Sequence, residues 1–452
     1  VIYNELKMKA IFRQIRQNRL FSAIYILGSA LSIASAMLIV VYLYVKTADI
    51  YPEHDRSDIY EVYNFQPMMK RNGGYTIGMA EGGFSASFAD EIRKAMASAD
   101  VVATEFMDYD DGQVMIHPGE GRLPFNVTAR YVDVPFFSLF DYEVLHGTPF
   151  TQEDFDSKVK VAVITDRLAA RLFGSPELAV GKEIRASYVS YTVRGVIREP
   201  SFLMQDSYGQ VFFPYITNFF STYSMPEHDA DLVALRLYVG QYKLWARVSG
   251  DAAADSIYTK IHELMRSAEL LHTASGDSLC MNMPPIASIP AKALKVSGGR
   301  FSPADMMMKY GVVILILLIV PAVNLGGLIA GHMETRLPEM GVRKSFGARR
   351  RRLLLSVLAE NMVLTTAGGL VGLAVALTLV WRWRDWMFFF DDNIMADAPS
   401  SVSLTVTPEM MFAPAILAIA FVLCLIVNVI AAMVPAWWSL RRPIVESLAE
   451  NK

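Results

Sequence analysis

Histidines, clustered carboxylates and a glycine–lysine pair are the residues of this sequence whose types could do chemistry, but their spacing matches no known site. No two histidines are separated as metal ligands are, and no HExxH motif is present. The cluster Asp108, Asp110 and Asp111 is half a calcium loop and lacks the later glycine and glutamate of an EF-hand. We expect no catalytic residue, no bound metal and no cofactor on this chain. The histidines are His54, His117, His146, His228, His262, His272 and His332.

The segment 174–182, GSPELAVGK, has only part of the pattern of a phosphate-binding loop. Its glycines are too far apart, and Glu183 stands where a serine or threonine would coordinate magnesium. We therefore expect that this chain does not hydrolyse ATP.

The informative polar segment is 332–352, HMETRLPEMGVRKSFGARRRR. Its pattern predicts a short helix ended by Gly347, with Met340 and Val342 available to a partner protein. Arg343 and Lys344 would orient the partner, or would only meet lipid headgroups. The candidate docking residues are Glu339, Met340, Gly341, Val342, Arg343, Lys344 and Gly347.

Composition and apolar patterning indicate a membrane protein. Of the 452 residues, 53% are hydrophobic and 19% are charged, and the net charge of −3 gives no basic field for nucleic acid. Cys280 and Cys424 are not expected to form a disulfide. Four apolar segments are long enough to span a bilayer, although buried helices of a soluble protein are the alternative. They are residues 21–45, 310–331, 353–381 and 410–435.

Lysine and arginine near the segment ends predict that both termini are cytoplasmic. Residues 1–20 are expected to form an amphipathic helix on the membrane surface, before a first segment retained as a signal anchor. The other cytoplasmic parts would be residues 332–352 and the tail 436–452. Residues 46–309 and the loop 382–409 would be periplasmic.

The periplasmic segment predicts an α+β domain. Residues 50–107 and 240–300 each read as a strand followed by a helix, and residues 108–239 between them read as β-rich. The predicted fold class is thus four transmembrane helices with an α+β extracytoplasmic domain.

The sequence resembles the FtsX-like/MacB-type permease family, also called type VII ABC transporters. The resemblance spans nearly the whole chain and departs from MacB because no ATPase precedes the permease in this sequence. It rests on Asn324, Arg336, EMGVRKSFGARRR (339–351), Glu360, Gly368, Gly369 and Gly372; on Pro435, Ala436, Arg442, Pro443, Ile444 and Leu448; and on VAVI (161–164), Ala170, Leu172, Phe173, Gly174, Gly181, Lys182 and VRGVI (193–197).

The resemblance implies a ferredoxin-like porter, residues 50–107 and 240–300, and a sabre-like insertion, residues 108–239. It implies a non-catalytic subunit of the inner membrane that pairs with a second copy or a paralogue. A separate cytoplasmic ABC ATPase, with its ATP and magnesium, would dock on residues 339–347. A periplasmic adaptor and an outer-membrane channel are further implied partners.

The function that the resemblance implies is MacB-like efflux of a peptide, drug or other periplasmic substrate. Lipoprotein release of the LolC/LolE kind and FtsX-like activation of a periplasmic partner are alternatives. A membrane sensor or scaffold without an ATPase is a further alternative. The cargo stays open.

Gly368 and Gly372 form a small-xxx-small pair in the third apolar segment. Such pairs let helix backbones approach closely, so the pair predicts a dimer contact. Packing within one chain is the alternative.

The topology is testable by cysteine labelling of intact cells. A cysteine introduced by Gly112→Cys should react with an impermeant reagent from outside, and one introduced by Ser345→Cys should not. The opposite result would contradict the topology.

Overall fold

The structure is a computed structural model that describes residues 19–62, 67–71, 74–77, 83–108, 112–119, 121–218, 221, 239–269, 278–281, 286–294, 302–335, 342–343, 345–382, 410 and 414–441. The chain divides into two compact units. The helical unit comprises Val1–Val45, Pro303–Met387 and Val406–Lys452, and the α+β unit comprises Lys46–Ser302 and Phe388–Thr405. The predicted amphipathic helix, nearly all of the loop 382–409 and most of the tail lie outside the described residues.

The described residues form ten α-helices and sixteen strands. The helices are α1 (Arg19–Thr47), α2 (Ala86–Ala95), α3 (Phe136–Leu139), α4 (Gln152–Asp156), α5 (Asp166–Phe173), α6 (Asp251–Glu269), α7 (Ile289–Ala293), α8 (Pro303–Thr335), α9 (Arg350–Arg382) and α10 (Pro414–Arg441). The strands are β1 (Ile59–Val62), β2 (Pro67–Arg71), β3 (Gly74–Ile77), β4 (Gly83–Phe84), β5 (Val101–Phe106), β6 (Gln113–His117), β7 (Phe125–Val132), β8 (Val144–Gly147), β9 (Val161–Thr165), β10 (Glu183–Ala186), β11 (Val189–Ile197), β12 (Val211–Pro214), β13 (Val239–Gly240), β14 (Tyr242–Arg247), β15 (Ser278–Met281) and β16 (Ile286–Ser288).

The helical unit consists of α1, α8, α9 and α10, with α10 packed on α8 and α9. Two stretches are long and apolar enough to cross a membrane, namely α1 and residues Arg351–Arg382 of α9. In α8 and α10, shorter described stretches, Tyr310–Ile319 and Leu417–Val427, are apolar. Large apolar side chains such as Leu31 and Ile419 are exposed on these helices, as expected where lipid covers a surface. That all four helices span the membrane stays a prediction.

The α+β unit begins with a four-stranded antiparallel sheet in the order β16-β1-β14-β5. This order and the helices α2 and α6 between its strands make a β-α-β-β-α-β unit. Helix α2 begins because Ser85 accepts a hydrogen bond from the backbone of Phe88, and it buries Phe88 and Ile92. Helix α6 buries Ile257 and Ile261 in the same cluster. Both helices were predicted from sequence.

Between β5 and β14 the chain forms a closed β-barrel. The described strands pair in the order β12-β9-β11-β10-β6-β7, and β12 also pairs with β7, which closes the ring. Alternate residues fill the interior, for example Val127 and Ala129 on β7 and Val211 and Phe213 on β12. Leu168 on α5 packs in the same interior cluster. The β-rich stretch was predicted, but its closure was not.

An aromatic wedge, defined as Phe136, Phe137, Phe140, Tyr142 and Phe212, lies between the barrel and the four-stranded sheet. Phe140 contacts Trp245 of β14 edge-to-face at 5.4 Å between ring centroids, and Phe137 contacts Phe212 of β12 at 5.7 Å. The sheet and barrel also share β7, which pairs with β5. The barrel is therefore joined to the sheet by a continuous core.

The structure refines the labelling test. Gly112 has a φ of +68°, which strains any other residue, whereas Tyr188 at the β10–β11 turn is 90% exposed. Tyr188→Cys is therefore the better outside position.

Phe136→Ala should lower the free energy of unfolding of the α+β unit by about 3–5 kcal/mol, since it leaves a cavity at the centre of the aromatic wedge. Tyr188→Ala is the control, with an expected change of about 0.5 kcal/mol or less. Denaturant unfolding of the purified full chain, followed by near-UV circular dichroism, measures both. If Phe136→Ala and Tyr188→Ala lowered the free energy of unfolding equally, the aromatic wedge would not stabilise the core.

Candidate functional site

A capped helical turn lies between α8 and α9. The backbone amide of Phe346 donates to the carbonyl of Val342 at 3.2 Å, and that of Ala348 donates to the carbonyl of Arg343 at 3.0 Å. Gly347 between them has a φ of +87°. This is the Schellman arrangement that ends a helix at a glycine, so the prediction that Gly347 closes a short helix is confirmed.

This turn exposes two apolar side chains on one face. Phe346 is 88% exposed and Val342, four residues earlier, is 47% exposed. Arg343 and Arg349 are exposed beside them. Four predicted docking residues, Glu339, Met340, Gly341 and Lys344, lie outside the described residues.

Phe346 was not singled out from sequence, although an aromatic residue directly before a capping glycine was the available signal. An exposed apolar pair with a basic surround can bury itself in an apolar pocket of a partner that carries acidic residues.

The small-residue face of α9 packs on α1 of the same chain. A Cβ atom at Gly372 would lie 2.5 Å from the carbonyl oxygen of Ala30, and one at Gly368 would meet the side chain of Ser29. Close approach of the two backbones therefore requires both glycines. The face predicted for a dimer contact is thus occupied within the chain, as in the alternative considered above. A dimer through another surface stays a prediction.

Hydrogen bonds between polar side chains join the same two helices. The Tyr25 hydroxyl lies 3.0 Å from Oγ1 of Thr365, whose hydroxyl donates to the carbonyl of Asn361 at 2.8 Å. Tyr25 is therefore the donor to Thr365. Glu360, beside Asn361, is also buried. An ionisable side chain inside an apolar helix is costly and marks a site of interest, and this burial was not predicted from the sequence.

In the α+β unit, alternating charges form an ion chain that is buried at Glu61 and Glu105 and partly exposed at Lys292. Nζ of Lys292 lies 2.6 Å from Asp206 and 2.5 Å from Glu61. Nζ of Lys243 lies 2.8 Å from Glu61 and 3.9 Å from Glu105. The six residues of the ion chain are Asp206, Lys292, Glu61, Lys243, Glu105 and Arg130.

The last link of the ion chain joins the sheet to the barrel. Arg130 of β7 contacts Glu105 of β5 at 2.5 Å, and the indole of Trp245 donates to the other oxygen of Glu105 at 3.0 Å. Three acids and three bases alternate, so the chain is neutral as a whole. Its members were not predicted, because elements far apart in sequence supply them.

The ion chain holds Asp206 and Glu105 in the charged state. Burial alone would raise the pKa of Asp206, but Lys292 and Lys243 lower it to about 2. Burial likewise opposes the charge of Glu105, and Arg130 and Lys243 outweigh it, so the pKa of Glu105 is lowered. At neutral pH both of these carboxyl groups are therefore charged.

A second buried pair lies near the ion chain. Glu53 and Arg56 are 2.8 Å apart and both side chains are buried. The Ser207 hydroxyl donates to Glu53 at 2.7 Å. Burial raises the pKa of Glu53, and Arg56 opposes that rise. Among the described residues, no group of three or more histidine, cysteine, aspartate or glutamate side chains could hold a metal ion.

Gly372→Leu should destabilise the helical unit by about 1–3 kcal/mol, because the larger side chain forces α1 and α9 apart. Val371→Leu, at the exposed neighbouring position, is the matched control. Thermal unfolding in detergent, followed by size-exclusion fluorescence, measures the difference. If Gly372→Leu instead left unfolding unchanged and abolished dimerisation, the glycine face would lie between chains.

Comparison with known proteins gives two family matches. Residues 22–264 match the MacB-like periplasmic core domain, and residues 311–444 match the FtsX-like permease C-terminal domain. Together the matches cover both units.

The curated relatives are distant. The pyoverdine export ATP-binding/permease protein PvdT of Pseudomonas entomophila (strain L48) is 24% identical over 269 residues, 59% of this chain and 37% of the relative. The macrolide export ATP-binding/permease protein MacB of Bdellovibrio bacteriovorus is 27% identical over 235 residues, 52% of this chain and 33% of the relative. The matched part thus covers about a third of each relative's length.

A solved structure, the periplasmic region of MacB from Actinobacillus actinomycetemcomitans, shares 13% identity. The similarity covers 54% of this chain and 94% of that one, with a TM-score of 0.34. A likeness at this level supports no argument about the fold.

Proposed function

Because the chain belongs to the family of FtsX-like permeases with a MacB-like periplasmic core domain, we propose that it is the membrane subunit of a type VII ABC transporter that couples cytoplasmic ATP hydrolysis to movement of its periplasmic domain. The family has membrane helices and an extracytoplasmic α+β domain, and both matched domains belong to ABC transporter permeases. The ATPase partner, the movement and the substrate are parts of the proposal.

The observation that carries the proposal is the exposed pair Val342 and Phe346 on the capped turn between α8 and α9. Phe346 is 88% exposed. Moving such an aromatic side chain from water into an apolar pocket of a partner lowers the free energy and so favours binding. Two backbone hydrogen bonds hold this turn, and Ala348 packs against a cluster that includes Met333 of α8 and Leu353 of α9, so a push on Phe346 would reach both helices. These are the properties that a coupling element needs.

The direction of transport is proposed from the relatives' names. PvdT is named for pyoverdine export and MacB for macrolide export. At 24–27% identity the substrate does not carry over, but export is common to both names. We propose MacB-like efflux for this chain, with the α+β unit as the part that handles the substrate.

The finer architecture belongs to the same proposal. All four long helices would span the inner membrane, with both termini cytoplasmic and residues 46–309 periplasmic. The β-α-β-β-α-β unit would be the ferredoxin-like porter and the β-barrel the sabre-like insertion. Two permease copies or paralogues would pair, and an adaptor and outer-membrane channel would complete the route.

Substitutions in the turn test the coupling. Phe346→Asp and Met340→Asp should each abolish the stimulation of ATP hydrolysis by the permease, because a charge replaces a buried anchor. Loss of such an anchor weakens binding by about 2–4 kcal/mol, roughly 30-fold to 1000-fold. Phe346→Leu should retain at least half of the stimulation. ATPase assays in lipid nanodiscs, with the ATPase that co-purifies from native membranes, measure this.

Leu123→Asp is the matched control, because Leu123 is also 88% exposed but lies in the α+β unit. It should leave stimulation unchanged, and all variants should insert normally. Unchanged stimulation in both Phe346→Asp and Met340→Asp would end the coupling mechanism. Absence of any co-purifying ATPase would favour a scaffold that acts without one.

A further inference from the structure

We propose that the loop of residues 205–208 is the centre of a clamp. This clamp fixes the segment after α1 and the segment before α8 to the β-barrel, so that all three move as one body. The clamp consists of this loop, the ion chain and the Glu53–Arg56 pair. That ATP hydrolysis drives the movement rests on the function proposed above. The clamp itself rests only on contacts within the α+β unit.

The loop receives bonds from four separate parts of the chain. Asp206 pairs with Lys292 of α7 at 2.6 Å, and the Ser207 hydroxyl donates to Glu53 at 2.7 Å. The Arg130 guanidinium of β7 donates to the carbonyls of residues 205 and 208. The Tyr142 hydroxyl, in the aromatic wedge, donates to the Ser207 carbonyl. The loop therefore ties the barrel strand β7 to both flanking segments.

The segment after α1 is fixed within a few residues of the helix end. Helix α1 ends at Thr47, and the backbone amide of Arg56 donates to Asp49 at 2.9 Å. The Arg56 guanidinium also donates to the carbonyl of Ala48 at 3.3 Å and pairs with Glu53. Residues 48–56 thus form a closed loop on one buried arginine. A displacement of the end of α1 reaches the clamp with little slack.

The segment before α8 is fixed by one side chain. Lys292 lies on α7, the last described helix before α8, and bridges Asp206 of the clamp loop and Glu61 of β1. Its side chain is only partly exposed, and Ile289 and Ala291 of the same helix are buried. Lys292 therefore ties α7 to both the sheet and the clamp loop.

Charge pairing suits a clamp better than apolar packing would. Apolar contacts can slide past one another, because they have no preferred direction. An ammonium held between two carboxylates has one favourable position, since moving either partner leaves a charge without its counter-charge. The ion chain is neutral only when all six members are in place, so it resists slippage of any one segment.

Distance measurements on the full chain test the clamp. Spin labels are placed by His54→Cys, an exposed position beside Glu53, and by Tyr188→Cys on the barrel. Cys280 and Cys424 are replaced by serine. In nanodiscs the otherwise native chain should give one narrow distance distribution, unchanged by the ATPase and ATP. Lys292→Met and Asp206→Asn should broaden the distribution at least twofold and make it depend on ATP.

Two controls separate a clamp from general destabilisation. Lys292→Arg keeps the charge and should restore the narrow distribution. Glu177→Gln removes an exposed carboxylate that lies 3.9 Å from His146, and neither residue belongs to the ion chain. This substitution should leave the distance distribution unchanged. Asp206→Asn retains hydrogen-bonding capacity, so it serves if Lys292→Met does not fold.

The outcomes are distinct from those of the proposed function. A narrow, ATP-independent distribution in both Lys292→Met and Asp206→Asn would overturn the clamp, whatever the ATPase does. Failure of the permease to stimulate any ATPase would overturn the proposed function, while broadening without ATPase would still support the clamp. In the clamp variants stimulation through Phe346 should stay within about twofold of its normal value, because the turn lies in the other unit.

Discussion

The alternation of acids and bases in the ion chain is the interaction on which the α+β unit depends. It collects charges from three sheet strands, from a barrel strand, from the loop of residues 205–208 and from α7, and leaves no net charge. Removing one member of such a network costs more than the pair contributes, because the partner stays buried and unpaired. The network therefore fixes the relative positions of segments that are far apart in sequence.

The barrel is an insertion with its own core, and one of its strands also pairs with the four-stranded sheet. Strand β7 belongs to the closed ring and also pairs with β5 of the four-stranded sheet. The aromatic wedge fills the space between the two, and Arg130 on the same strand joins the ion chain. A shared strand, an apolar wedge and a charge link together make the junction stiff. The transmission of movement that we propose for this domain would require that stiffness.

The helical unit solves a different packing problem. Inside lipid there is little hydrophobic gain when helices associate, so close backbone approach and polar bonds must supply the attraction. Gly368 and Gly372 permit the approach, and the Tyr25–Thr365 hydrogen bond lies on the same helix pair. Helix α9 thus packs its glycines against α1, and it begins directly after the turn that exposes Phe346.

The sequence by itself determined the apolar helices, the two strand–helix halves, the β-rich middle and the glycine that ends the turn between α8 and α9. Each depends on local periodicity or on one residue's backbone preference, as for Ile257 and Ile261 on one face of α6 or Gly347 with its positive φ. The tertiary structure alone decided the closure of the barrel, the partner of the Gly368–Gly372 face, the exposure of Phe346 and the ion chain. These depend on contacts between residues far apart in sequence, such as Glu61 with Lys292, and no local pattern records which distant charge or backbone a residue will meet.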